Sequence, residues 1–469
     1  MTGKTDDAQN TAIAIAEHLA SVRGATLPDS AIAAARTGML DTFSVLTAGC
    51  DTPVMQKVLS VVRAWGGAEQ ATVWGTDLMT SDYAAAFANA SMVHQYDFDD
   101  THDTAVCHPT SASLTAALAV AEAEGGVSGE LLVKAVVAGN DLSCRLAGAI
   151  DGGLWDFPWV RAPVVGIFGA TAAAGVVLGL DAEQMHAALG IALPQAAGTL
   201  ESVTGHRSMV RSMRDGLAYK DAVAAARLAQ AGMRGDDRVF DGPYGLFGAY
   251  FQGRYRPEHL LDGLGARYTG EEVSLKPWPS CRHTHATITA YLDVLTRPEF
   301  ADAEVARVTA FVGNGNLRLA EGKPWPANHI DALCHLPFVL AAATVHRAVP
   351  LRAFETEGRE DPAVRAAAGR VAWELDPAHD RLGTIEPGRV RVEFADGRVA
   401  EGSAERGLGH PENPLSAEQQ EAKWWDCAAH GAPHLTRAGA QRLFDAVRRV
   451  PQLDDVRALG VEVRDAVKD

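Results

Sequence analysis

Residues 89–111, NASMVHQYDFDDTHDTAVCHPTS, hold three histidines (His94, His102, His108) and four aspartates (Asp97, Asp99, Asp100, Asp103), with Thr101, Thr104 and Cys107 among them. On either side, residues 83–93 and 111–123 are apolar and rich in alanine, and they read as helices. A titratable loop held between two packed helices suits proton-transfer chemistry, because packing fixes acids and bases that would otherwise be mobile. Any one of these aspartates alone fits a solvated acidic turn. The density of the cluster favours chemistry.

Outward from this loop, helical spacing of apolar residues covers 11–20, 31–47, 54–64, 80–93, 111–124, 128–147, 164–178, 182–192 and 216–231. Gly125, Gly179 and Gly232 follow three of these stretches, as helix C-termini require. Residues 71–74 suggest a short strand. The composition shifts near residue 265. Residues 305–312 and 389–394 alternate as strands do, and Asp396-Gly397 predicts a hairpin to 398–402. Helices are expected at 285–295 and 330–346, and past Pro414 at 416–424, 436–447 and 453–459. The expected fold is mainly α: a large all-helical domain over residues 1–265 and a smaller α+β domain over 266–409.

The chain has 469 residues, enough for two or three domains, with 47% hydrophobic and 22% charged residues, ordinary for a soluble protein. A net charge of −17 argues against nucleic acid or an anionic membrane as partner. It leaves room for a small anionic substrate, because local charge decides binding. Six scattered cysteines form no C-x-x-C pair, which disfavours a zinc knuckle and fits a reducing, cytoplasmic setting. The first ten residues are polar, without the apolar run of a signal peptide. Residues 162–180 carry no charge and are long enough to span a bilayer. Made mostly of Ala, Gly and Val, without an aromatic belt, they are expected as a buried helix, with no membrane involved.

Two compact segments supply cations for a carboxylate. Residues 205–216, GHRSMVRSMRDG, carry His206, Arg207, Arg211 and Arg214, and lead into an alanine-rich helix. Residues 276–285, KPWPSCRHTH, carry Lys276, Arg282, His283 and His285, with two prolines stiffening the approach. Arginine suits bidentate carboxylate binding, and lysine serves as a point charge.

His94-x-x-Asp97-Phe98-Asp99-Asp100-Thr101-His102, followed by His108-Pro109-Thr110-Ser111, resembles the MmgE/PrpD family. The likeness extends to 276–285, to Arg211–Gly216 with Leu228–Gly232, to Met39–Thr42 with Ala48-Gly49, and to Pro411–Pro414, so it spans nearly the whole chain. It implies that residues 410–469 return to the large domain and that the protein is a homodimer. It also implies a small carboxylic acid substrate and chemistry that needs no metal or organic cofactor: proton abstraction beside a carboxylate, with dehydration as the leading outcome and epimerisation or decarboxylation as alternatives. On this resemblance Asp97 and His108 are the acid/base pair, Thr101 hydrogen-bonds a substrate oxygen, and His285 is a second acid/base. Lys276, Arg282, Arg211, Arg214, His102 and Arg161 are the expected carboxylate-binding residues.

The departures from the family pattern are specific. Val160, with Arg161 beside it, stands where many members have histidine. Val210-Arg211 stands where Thr-Lys is common, and Phe338 where a tyrosine is common. Two other readings follow from the residues themselves. His94, Asp97, Asp99, Asp100 and His102-Asp103 could ligate the divalent ion of a hydrolase. Alternatively, Val160 and Phe338 could mark a member that kept the fold and lost its chemistry.

Overall fold

The helix Arg161–Leu178 is buried along its length and forms the axis around which the larger part of the molecule packs. It is apolar and long enough to cross a membrane, but here neighbouring helices cover it: Pro109–Glu124, Gly129–Ala149 and Arg214–Gln230. Glycines allow the approach. A methyl group on Gly139 would fall 2.6 Å from the Gly169 carbonyl oxygen, so the two helices meet backbone to backbone only because neither carries a side chain there. The computed structural model describes residues 10–205, 207–380 and 385–468. His206, counted above in the first basic segment, lies outside the described residues.

Most of the expected helices form with ends shifted by a few residues, whereas the one expected over 453–459 lies instead at Arg457–Lys468 and that expected over 416–424 runs on to Gly431; local chemistry explains several ends. Ser81 caps Asp82–Val93 by accepting from the Ala84 amide. Pro109 opens Pro109–Glu124, and Gly125 ends it at φ 68°. From the C-terminal segment, Ala417–Gly431 packs on Asp29–Gly49, where Gly431 lies directly against the Ala48 backbone and Lys423 reaches Asp41 at 2.6 Å.

The remaining part of the chain builds a four-stranded sheet in the order Val371–Leu375, Val305–Val312, Gly388–Phe394, Val399–Ala404. The last two strands form the anticipated hairpin, with Gly397 at φ 89° in its turn. The helix His285–Thr296 lies on these two strands. The mixed fold class expected above, mainly helical with a smaller α+β part, is the one observed.

Two features differ from expectation. Val371–Leu375 pairs in parallel with Val305–Val312 at the sheet edge, and its half-exposed pattern gives no alternation to detect. The single helix expected over 330–346 is two, His329–Leu333 and Leu336–His346. Pro337 has no amide to donate, so the chain breaks before it, and the His335 ring accepts the Phe338 amide to start the second helix. The break brings Cys334 to the functional cavity.

Candidate active site

The titratable loop is closed by a two-residue antiparallel ladder, Thr101 to Ser274 and His102 to Val273. That ladder carries the second basic segment to the loop. Two residues past Ser274, Lys276 Nζ donates to the Asp97 carbonyl oxygen at 2.7 Å and to Asp97 Oδ1. Arg211 donates to Asp97 Oδ2. Asp97 itself sits at φ 47°, a left-handed conformation that Asp and Asn tolerate better than most residues.

Burial would raise the Asp97 carboxyl, but Lys276 and Arg211 outweigh it and hold the group well below the usual carboxylate range. Both oxygens are occupied by cations, so Asp97 makes a poor proton acceptor. The acid/base part expected for it is corrected on this ground: the geometry makes it the anchor of Lys276 and Arg211.

His108 has the opposite character. At the N-cap position of the helix Pro109–Glu124 it makes no side-chain cap. Its Nδ1 instead meets the Asp100 carbonyl oxygen at 2.7 Å, with Thr101 Oγ1 at 3.3 Å and Asp99 Oδ2 at 3.4 Å. A carbonyl only accepts, so Nδ1 carries the proton and Nε2 keeps its lone pair. Burial pulls the imidazole down to about 4, with Asp99 opposing, and it is neutral at pH 7. Its neighbour His94 receives Arg214 at Nε2 (3.5 Å) and so donates from Nδ1 to Asp99 (3.1 Å). Asp99 therefore takes a hydrogen bond from His94 and lies beside the His108 ring, and with the Lys276 ammonium 4.0 Å away its carboxyl is held below the usual range despite its burial. Asp100 differs from its neighbour. Burial pushes its carboxyl up to about 8, the Thr110 hydrogen bond opposing and the Asp99 and Asp41 charges adding.

One cavity gathers Asp97, Thr101, His108, Arg161, Arg211, Arg214, Arg282 and His283, with the thiols of Cys281 and Cys334. Three expected residues do not line it. Lys276 is fully buried behind Asp97. His102 accepts the Ala105 amide at Nδ1 and turns Nε2 toward Glu272, 3.8 Å away. His285 is buried with Nε2 at 3.2 Å from both Ser280 oxygens, so it braces its own segment. Arg282 lines the cavity, but its Nε and Nη2 hold Asp103 bidentately at 2.9 and 3.0 Å, and Nη1 donates to the Leu408 carbonyl at 2.9 Å. Arg161 donates through Nη2 to the Gly152 carbonyl at 2.5 Å and leaves Nε without a protein partner. Arg211 Nε is also unpaired. These two guanidinium edges are the donors best placed for a substrate carboxylate. Phe338 is in the core against Trp325 and Phe354.

His283 is the residue the site assignment missed. It lines the cavity, its ring nitrogens are buried with the Asn316 side chain beside them, and burial pulls it down to about 4. The signal was in KPWPSCRHTH, where Cys281 and His283 share the approach with Arg282. Only the three-dimensional turn at Arg282–Thr284 shows which histidine of the pair faces the cavity.

His94, Asp97, Asp99 and His108 lie close enough to hold a metal ion. Lys276 Nζ, 4.0 Å from Asp99 Oδ1, and the guanidinium groups on Asp97 and His94 already occupy that space with positive charge. A divalent ion would have to enter against three cations, which disfavours the hydrolase reading.

These groups set the pH dependence of stability. His108, His283, His329 and His335 are each pulled down to about 4 by burial from an ordinary 6.5. As pH falls through that window the unfolded chain binds protons that the folded chain refuses, so stability is lost. Asp100, pushed up to about 8, and Glu122, up to about 7, act oppositely: the folded chain holds their protons, and stability falls as pH rises toward those values. Four imidazoles outweigh two carboxyls on the acid side; above 6.5 the carboxyls lower stability while the Cys334 thiol, pulled down to about 6 by the Cys281 hydrogen bond, opposes them. Thermal melts are expected to show a Tm that falls as pH drops below 6.5. A Tm that climbs steadily from there to pH 4.5 would contradict the assignment.

Comparison with known proteins was made on the sequence. A family model described as the MmgE/PrpD N-terminal domain matches residues 13–258, and one described as the MmgE/PrpD C-terminal domain matches residues 278–450. Cis-aconitate decarboxylase of Mus musculus is 27% identical over 448 residues, covering 92% of this chain and 89% of that protein. The protein of the same name from Homo sapiens is 26% identical over 445 residues, covering 92% and 90%. That from Aspergillus terreus is 26% identical over 414 residues, covering 84% of each.

Proposed function

The chain belongs to the MmgE/PrpD family, and on that premise we propose that it is a lyase acting on a small carboxylic acid by proton transfer at the carbon beside a carboxylate. The observation that carries this is His108: a neutral imidazole whose Nδ1 is fixed on a backbone carbonyl and whose Nε2 remains for the cavity. Arg161 and Arg211 take the carboxylate and stabilise the enediolate-like charge that grows as Nε2 accepts the proton. Thr101 Oγ1, beside His108, hydrogen-bonds a substrate oxygen.

Dehydration is the first reading of the outcome. The C–H electron pair forms the new double bond as the C–O bond breaks, and the departing hydroxide leaves as water with the proton that His108 releases. His283, a neutral imidazole lining the cavity, donates a hydrogen bond to the leaving oxygen. Decarboxylation is the second reading, favoured by the full-length likeness to cis-aconitate decarboxylases. In that case the C–C electron pair stays on carbon as CO2 leaves, and a proton taken up from solvent is passed to that carbon through His108 Nε2.

Proton NMR in D2O with a panel of hydroxy- and unsaturated di- and tricarboxylates tests this. Deuterium is expected to enter beside a carboxylate, with or without a chelator, and the product distinguishes water loss from CO2 loss. Turnover abolished by the chelator and restored by a divalent ion would return the hydrolase reading.

A further inference from the structure

Besides its charged residues, the cavity is lined by apolar ones. Residues 158–160 pair with 198–200: Val160 donates to the Gly198 carbonyl at 2.9 Å and Leu200 to that of Pro158 at 2.9 Å. This short ladder presents Trp159, Val160 and Leu200 to the cavity, and Leu154, Trp155 and Ile385 extend the same surface. All but Ile385 are only partly buried, although they are large apolar side chains gathered around one space. The Arg318 guanidinium stacks 4.6 Å over the outer Trp155 ring and fixes it. Val160 holds one of the positions where the sequence departs from the family pattern, and here its apolar side chain completes the wall.

The charge count points the same way. Around the cavity stand Arg161, Arg211, Arg214, Lys276 and Arg282 against Asp97, Asp99, Asp103 and Asp215. Among these described residues, five cations face four carboxylates, a surplus of one. A trianion would leave these groups with two unbalanced negative charges, at a desolvation cost that no further ion pair among the described lining residues offsets. A mono- or dicarboxylate stays near balance.

We propose that the substrate carries at most two carboxylates together with a short apolar arm, seated on the wall of Trp159, Val160 and Leu200. This rests on the carboxylate-lyase reading above and narrows it. The carboxylate meets Arg161 and Arg211, the reacting carbon stands at His108, and the arm points away from the charges. The site thereby discriminates against tricarboxylates, which lack the arm and exceed the charge.

Calorimetric binding of succinate, 2-propylsuccinate and tricarballylate tests the inference. The arm is expected to tighten binding by about 10-fold or more over succinate, the worth of a few buried methylenes, and tricarballylate is expected to bind no better than succinate. In Leu200→Asn and Trp159→Ala, each checked for an unchanged melting curve, the advantage of 2-propylsuccinate should vanish while succinate affinity stays the same. Tricarballylate binding as tightly as 2-propylsuccinate, or an arm effect indifferent to both substitutions, overturns the inference and leaves the lyase reading intact. If none of the three binds, the carboxylate reading of the cavity itself fails.

Discussion

Replacing His108 with asparagine is expected to lower kcat by about 10²- to 10⁴-fold, the range in which positioned acid/base groups act. The substitution is chosen for its geometry. The asparagine amide nitrogen falls near the place of Nδ1 and keeps the hydrogen bond to the Asp100 carbonyl, now 2.7 Å from the ring. Only Nε2 is lost. A general loss of fold is therefore not expected, and a melting curve close to wild type checks this. The rate is read on whichever carboxylate exchanges deuterium in D2O.

The pH profile adds a signature that structural damage would not give. In the wild type, the acid limb of kcat/KM reports the free imidazole at about 4, so activity should persist at pH 5, where an ordinary histidine is mostly protonated. The residual activity of the asparagine variant should lack that limb. A folded variant with near wild-type turnover would remove His108 from the mechanism, and His283 would become the remaining imidazole in the cavity.

The comparison between His108 and its neighbours shows what a sequence can disclose here. The loop was legible because seven titratable residues crowd between two helices of clear period, and a packed helix pair fixes where such a loop must lie. The sheet hairpin was legible for the same kind of reason: alternation on both strands and Asp-Gly between them. What each titratable group does was not legible, since it depends on partners far along the chain. Asp97 meets Lys276 and Arg211, and Asp103 meets Arg282, across more than a hundred residues. Adjacent aspartates take opposite states, Asp99 ionised between two imidazoles and Asp100 raised by burial, and no local pattern separates them. His283 and His285 are two apart in one segment, yet one lines the cavity and the other is packed against Ser280. The edge strand Val371–Leu375 was missed because its half-exposed residues do not alternate.

Asp97→Asn should have the largest effect on stability, and it decides between two accounts of this residue. Asparagine tolerates the left-handed backbone at φ 47° and matches aspartate in volume, so the change removes charge and little else. It leaves Lys276, with no exposed surface, and the buried Arg211 without their counter-ion. Breaking a buried ion pair from one side costs about 3–5 kcal/mol, and here two cations lose the same partner. A large fall in the urea midpoint is expected. Lys276→Met added to Asp97→Asn should recover part of it, because the second change removes one of the stranded charges, and the two effects should be clearly non-additive. If Asp97 were instead the proton carrier that its place in the motif suggested, the pattern would be the reverse: a lost kcat, an unchanged urea midpoint and no rescue by Lys276→Met. The ion pairs on both Asp97 oxygens favour the first pattern, in which this carboxylate serves catalysis only by holding Arg211 where a substrate carboxylate arrives.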